Sequence, residues 1–279
     1  MNWQQARIEI EAWEAKGALL EKYSYAPGKV EPLPSHVHAE YQFALSFTSI
    51  GEYSYRGCKL KIPAGNLCVL HSGEPHAPSA AREVVKPSVY WMLYAEPKEL
   101  SNIAVEISGK PFAELPYFSQ VLLADRDLVA DFLRLFERNS TAALASRLEL
   151  DEARLDFFSK LILRYAQNLP PAPPVKTEAP GIRRAVEFLQ ENFRENVSLA
   201  DLTEVSGVSK FHLCRAFRRL TGVSPHAYQT HLRLSHAKKL LLRGTAIADV
   251  AARLGFYDQS HFGQKFKKFV GISPKTYLL

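Results

Sequence analysis

Two histidines one residue apart, His36 and His38, open a strand-like run that continues through Glu40, Tyr41 and Gln42. Side chains alternate along a strand, so both imidazoles face the same way. Such a pair can ligate zinc, iron or copper, or it can hydrogen-bond a small organic ligand from a pocket wall. A different chemistry occupies the last hundred residues. Lys210, Arg215, Arg218 and Arg219 fall on the polar side of one amphipathic segment. Gln259, Ser260, Gln264, Lys265, Lys267 and Lys268 fall on that of another. An arginine fork matches guanine, a glutamine carboxamide matches adenine, and Lys or Arg near helix ends suits phosphate. These types in this order point to contact with duplex DNA.

The charge distribution supports that division. Residues 181–279 hold 16 Lys and Arg against 7 Asp and Glu, whereas the first 180 residues hold 19 against 22. A basic tail on a slightly acidic partner is the footprint of a nucleic-acid binder. A solvated basic surface is the plainer account, and charge alone does not separate the two. No apolar run nears the roughly 18–20 residues of a membrane helix. Met1-Asn2-Trp3-Gln4 lacks the basic-then-apolar layout of a secretory signal. A cytoplasmic chain with no membrane partner is therefore expected. The cysteines, Cys58, Cys68 and Cys214, are odd in number and form no CxxC. That argues against a disulfide framework or a zinc finger and for buried free thiols.

The elements that position these groups fall into two domains. Five prolines lie between Leu169 and Pro180, which reads as an extended linker over 169–180. Before it, residues 1–168 begin with short strands such as Tyr41–Phe47 and Gly65–Leu70, separated by turn residues, as in a barrel or sandwich. Helical periodicity follows Asp125, first with Leu128, Phe132, Leu135 and Phe136, then with Leu148, Leu155, Phe158, Leu161, Ile162 and Tyr165. Both helices can cover the barrel, and the second is expected to supply a dimer seam. After the linker, residues 181–279 repeat themselves. Leu199-Ala200-Asp201-Leu202 is echoed by Ile247-Ala248-Asp249-Val250, Gly207 by Gly255, Phe217 by Phe266, and Tyr228 by Tyr277.

Each copy reads as helix, glycine turn, helix, over about 199–220 and 247–269. Ser198, Ser209 and Asp258 are the expected N-caps. Leu213, Phe217 and Leu220 are expected inside the first unit, and Phe262, Phe266 and Phe269 inside the second. Between them, Pro225 to Leu242 reads as one long helix holding the units apart, with Arg233 expected at DNA. The arrangement is the tandem form of a helix-turn-helix, able to enter successive major-groove turns. An ordinary helical hairpin would rival one such unit but not two in a basic domain.

The run Ile247-Ala248-Asp249-Val250-Ala251-x-x-Leu254-Gly255-Phe256-x-Asp258-Gln259-Ser260-His261-Phe262-x-x-x-Phe266-Lys267-x-x-x-Gly271-x-Ser273-Pro274-x-x-Tyr277 resembles the signature of the AraC-type transcription regulators. The resemblance covers roughly 181–279. It implies base contacts from Phe211, Cys214 and Arg215 in the first unit, and from Gln259, Ser260, His261 and Gln264 in the second. Gln264 departs from the Arg common in the family. With the outward residues, the DNA set is Lys210, Phe211, Cys214, Arg215, Arg218, Arg219, Arg233, Gln259, Ser260, His261, Gln264 and Lys267.

His36-x-His38 followed by Gln42, then Gly57, Pro63, Gly65 and the His71 to His76 stretch, resembles the two motifs of the cupins. Cupins are small β barrels that the AraC-type family often uses to sense ligands. Gln42 stands in a carboxylate slot and Cys68 in the slot of the second-motif histidine. His71 and His76 lie nearby. The expected ligand set is His36, His38, Gln42, Tyr53, Tyr55, Cys68, His76 and Trp91, with Tyr94 a further aromatic candidate. A bound organic molecule is preferred to a metal because the carboxylate is displaced. A divalent metal, if held, would use His36, His38, Cys68 and His76.

The resulting expectation is an α+β chain with an N-terminal cupin-like β barrel, two helices and a C-terminal all-α tandem helix-turn-helix domain. It would be a DNA-binding regulator, an activator by family analogy, switched by a small effector in the barrel. Its expected partners are double-stranded DNA, the effector, RNA polymerase and a second copy of itself. The alternatives are a metal-dependent cupin enzyme, or a barrel that only dimerises. No second catalytic constellation is visible, so an enzyme is not expected.

Overall fold

The computed structural model describes residues 5–15, 18–30, 35–48, 50–78, 82–110, 114–140, 145–169, 179–270 and 272–277. The chain divides into two compact units, Met1–Phe136 with Phe157–Pro171, and Glu137–Asp156 with Ala172–Leu279. Residues 137–156, which the sequence places with the barrel, thus group with the helical unit.

In the first unit six strands form an antiparallel sheet. Their order is β1 (Ile8–Ala15), β2 (Ala18–Tyr25), β10 (Ser88–Ala95), β4 (Tyr41–Leu45), β7 (Leu67–Leu70) and β11 (Leu122–Leu123). A three-stranded sheet runs β6 (Cys58–Ile62), β5 (Gly51–Tyr55), β8 (His76–Pro78), and β3 (Gly28–Val30) pairs with β9 (Arg82–Val84).

Register decides which side chains meet. Glu14, Leu19, Tyr94, Gln42 and Leu70 stand side by side across the large sheet. Paired residues share a face and the face changes at each step along a strand. Glu21, Met92, Ala44 and Cys68 therefore form the next row on that same side. Leu20, Leu93, Phe43 and Val69 form a row on the other side, each 0% exposed.

That second side is covered by the later part of α3 (Arg147–Tyr165), from which Phe157 and Phe158 meet Phe43 edge-on at 5.6 and 5.9 Å. Phe132 of α2 (Arg126–Ser140) packs on Phe157 in turn. Burying each such side chain contributes roughly 1.5–3 kcal/mol. Leu148, Leu155, Phe158, Leu161 and Ile162 of α3 are all buried within the chain. The expected subunit seam on this stripe is thus already occupied by the chain's own core.

A helix not anticipated from sequence, α1 (Pro97–Ser108), follows β10. Proline at its start and Gly109 in the left-handed conformation at its end delimit it, and Leu100, Ile103, Ala104 and Ile107 are buried.

The helical unit is built from α4 (Ala179–Glu191), α5 (Leu199–Ser206), α6 (Lys210–Thr221), α7 (Pro225–Leu242), α8 (Ile247–Arg253), α9 (Gln259–Val270) and α10 (Pro274–Tyr277). Most of the expected linker lies outside the described residues. Its last proline, Pro180, instead sits in the first turn of α4, where a missing N–H costs nothing. Ser198 opens α5 with a reciprocal capping box to Asp201. Gly207 ends it at φ 70°, a conformation that side chains with a Cβ avoid. Asp258 accepts from the backbone N–H of His261 at 2.7 Å and so starts α9. The second helical pair packs Val250, Leu254, Phe262 and Phe266 against Phe193, Leu234 and Leu241.

Candidate functional site

On α6 the side chains of Arg215 and Arg219 are exposed, and Arg215 lies over the ring of Phe211 at 5.3 Å. Lys210 is half-buried. Phe211 and Cys214 are each only 4% exposed. Both therefore belong to the core under α6 and are corrected from base contacts to packing residues. Leu220, expected inside, is 52% exposed. Arg218 is outward but spoken for, because its two terminal nitrogens donate to the Asp156 carboxylate at 3.2 and 2.8 Å.

On α9, Gln259, Ser260, Gln264, Lys267 and Lys268 are exposed, while Phe262 and Phe266 are buried. Phe269, expected inside, is 40% exposed. His261 is half-buried, with a buried Nδ1 that has no hydrogen-bond partner. Desolvation, aided by neighbouring Lys265, lowers its pKa and keeps the ring neutral. Two helices at equivalent places in a repeat thus present Arg on one and Gln, Ser and Lys on the other.

Arg233 does not join them. It is 6% exposed and donates from Nε to the Phe193 carbonyl at 2.6 Å. Its terminal nitrogens donate to the carbonyls of Gly255 at 2.6 Å and Glu195 at 2.8 Å. Burial lowers its pKa to about 10, which leaves it charged at neutral pH. The expected DNA contact is instead a staple between the chain after α4 and the turn after α8. Its place on the buried stripe with Gln229, Ala237 and Leu241 was the available sign.

In the first unit, His36, His38, Gln42, Tyr53 and His76 come together. The His38 and His76 rings are 4.7 Å apart and His36 lies 4.6 Å from His76. His38 Nδ1 and His76 Nδ1 each face a main-chain carbonyl at 2.9 Å, of Glu40 and Glu74, so both carry a proton there. Their Nε2 atoms converge on the Gln42 carboxamide, 3.0 and 3.1 Å from Oε1. Turning about its last torsion, that carboxamide serves either state: its NH2 for two neutral rings, its oxygen for two charged ones. Desolvation lowers the pKa of His76 and favours the neutral state. The Gln42 amide also lies 3.4 Å from the Tyr53 hydroxyl.

The rest of the expected set is elsewhere. Tyr55 meets His71 at 3.1 Å, in a separate network with Arg56 and Glu74. Trp91 lies on the opposite side of the sheet from Gln42 and packs on Phe47. Cys68 is 0% exposed, and burial pushes its thiol up to about 12, so it offers no thiolate. Among the described residues no group of three or more His, Cys, Asp or Glu is disposed to hold a metal ion. The donor set His36, His38, Cys68 and His76 does not fit one.

Space between the sheets beside Tyr53 and Tyr90 amounts to only about 10 Å³. A larger pocket of about 500 Å³ opens where His38 and Tyr94 meet Glu14, Leu19, Glu21, Glu40 and Glu96. Its three further carboxylates besides Glu40 were not foreseen, because the register of β1, β2 and β10 brings them together. A lining of this kind complements a ligand that brings hydrogen-bond donors or positive charge.

Comparison with known proteins bears on both units. Residues 202–279 match the model of a helix-turn-helix domain, and residues 31–158 match that of the AraC-like ligand-binding domain. The chain is similar to YbfI, an HTH-type transcriptional regulator of Bacillus subtilis, with 32% identity over 91% of this chain and 86% of that one. It is also similar to the transcriptional activator RhaS of an Enterobacter species, with 24% identity over 90% and 91%. A solved structure, the C-terminal domain of the response regulator AraT from Geobacillus stearothermophilus, is 33% identical over 36% of this chain and 84% of its own, with a TM-score of 0.34. No helix among the described residues is long and apolar enough to cross a membrane. With similarity running through both units and nearly the whole of YbfI, the chain belongs to the AraC family of transcription regulators, its helix-turn-helix domain preceded by a ligand-binding one.

Proposed function

We propose that the chain is a cytoplasmic transcription activator that reads duplex DNA with α6 and α9. Arg215 and Arg219 would serve the first half-site, and Gln259, Ser260, Gln264 and Lys267 the second. The observation that carries this reading is the exposure of these side chains on two helices at equivalent places in the repeat. His261 and Lys210 stand at the helix starts and contribute at the margin. The relatives' names support activation, which would bring RNA polymerase as a further partner and a homodimer as the working form.

Functionally, residues 1–168 sense and residues 181–279 read. A small molecule binds beside His38 and Tyr94 without being turned over. It acts by favouring one of two states of the chain.

The test begins by selecting operator sequences from random duplex DNA with the full chain. Arg215→Ala is expected to weaken binding to the selected operator by roughly 1–3 kcal/mol and to leave random DNA less affected. Unchanged isotherms on both would refute the assignment. For the pocket, Tyr94→Ala should abolish the rise in melting temperature that a cognate ligand gives.

A further inference from the structure

The first half of α3 carries four carboxylates, and each engages the helical unit to which residues 137–156 belong. Asp151 accepts from the backbone N–H of Leu199 at 3.2 Å, at the start of α5. Glu152 accepts from the backbone N–H of His226 at 2.8 Å, at the start of α7. Both sit where a helix dipole favours negative charge. Glu149, only 6% exposed, takes Lys265 of α9 at 3.1 Å, Arg138 of α2 at 3.0 Å and His226 at 3.4 Å. Burial alone would raise its pKa, but the hydrogen bond from His226 and the charges of Lys265 and Arg138 hold the carboxyl well below the usual range. Asp156 grips Arg218 of α6 with both oxygens.

We propose that this half of α3 is a built-in competitor for DNA, in which Asp156 and Glu149 occupy Arg218 of the first reading helix and Lys265 of the second. The inference rests on the DNA-reading function proposed above. A guanidinium fork filled by two carboxylate oxygens cannot hold a phosphate in the same plane. The Arg218–Asp156 pair is nonetheless displaceable. Its side chains are 43% and 27% exposed, and pairs open to solvent contribute little. The Glu149 cluster is more enclosed and anchors the helix. Residues 147–156 also lie inside the span that matches the ligand-binding domain. The part of the sequence assigned to sensing thus supplies the groups that withhold cations from the reader.

The experiment is a double-mutant cycle on the full chain, read as affinity for mixed-sequence duplex DNA against salt concentration. Arg218→Gln is expected to change wild-type affinity by less than about twofold, because the arginine is already occupied. Asp156→Asn should bind more tightly, by up to roughly fivefold. Its plot of log affinity against log salt should steepen by about one. Arg218→Gln should erase both gains. Glu187→Gln on the exposed side of α4 controls for the loss of one negative charge anywhere. A second cycle, Glu149→Gln with Lys265→Gln, tests the other cation, with circular dichroism melting to confirm the fold.

Equal cost of Arg218→Gln in both backgrounds, or no gain in Asp156→Asn beyond Glu187→Gln, overturns the competitor while leaving DNA reading intact. Failure of every variant and the wild type to bind duplex DNA overturns both.

Discussion

His71 shows how one buried ring makes stability depend on acid. It is 6% exposed and its Nε2 accepts the backbone N–H of Phe118 at 3.0 Å. Desolvation first, and the Arg56 charge second, lower its pKa from 6.5 to about 4. The unfolded chain therefore binds this proton before the folded one does. Stability from this source is intact above pH 6.5 and is lost as pH falls from there to about 4. The loss amounts to on the order of 3 kcal/mol. Urea melts across that window should show the slope, and His71→Gln, which cannot titrate, should flatten it. A slope unchanged in the variant would assign the acid sensitivity to other groups.

At the same scale, Arg233, Phe211 and Cys214 are the residues whose expected place at DNA the structure reverses. Arg is rarely buried, so an Arg in a basic helix reads as a surface contact. What reverses this is the set of free carbonyls left beyond the end of α4, which need donors. Phe211 and Cys214 misled for the opposite reason. Their apolar character pointed inward, and only the family comparison pointed them at bases.

At the scale of elements, capping chemistry was the most legible part of the chain. Ser198, Gly207, Pro225 and Asp258 mark helix ends by local rules, and the helices end where those rules say. Strand register was not legible. The pocket carboxylates Glu14 and Glu21 come from the paired strands β1 and β2, and Glu96, far from them in sequence, from the residue before α1. Nothing in one sequence specifies which strands pair.

The two turn glycines illustrate the same limit. Gly207 and Gly255 occupy matching places in the repeat, at φ 70° and 73°. A Cβ on Gly207 would meet nothing within 4 Å, whereas one on Gly255 would sit 2.0 Å from the Arg194 carbonyl oxygen. Gly207→Ala should therefore cost about 1 kcal/mol, the strain of the backbone alone. Gly255→Ala should cost on the order of 3 kcal/mol, as the second turn is pushed off its neighbour. Chemical denaturation of both variants checks the ranking, and equal losses would show that the close approach relaxes freely.

For the molecule as a whole, the uneven charge visible in the sequence becomes a statement about binding conditions. The basic residues that remain exposed on α6 and α9 include Arg215, Arg219, Lys267 and Lys268. If Arg219 and Lys267 each neutralise a phosphate, the slope of log affinity against log salt should fall by about one for each replacement by Gln. Their effect should be alike on operator and random DNA, unlike that of Arg215. A slope indifferent to both would remove them from the interface.

The staple formed by Arg233 also limits how the chain can be dissected. A fragment cut to begin beyond Glu195 would retain the guanidinium and discard the Phe193 and Glu195 oxygens that hold it. It would carry an enclosed cation with three of its four carbonyl acceptors gone, a defect severe enough to unfold a small helical body. Truncation series that cut past Glu195 would then score the second helix-turn-helix as inactive for reasons unrelated to the bases it reads. A minimal second reader must keep the polypeptide from Phe193 onward as one piece.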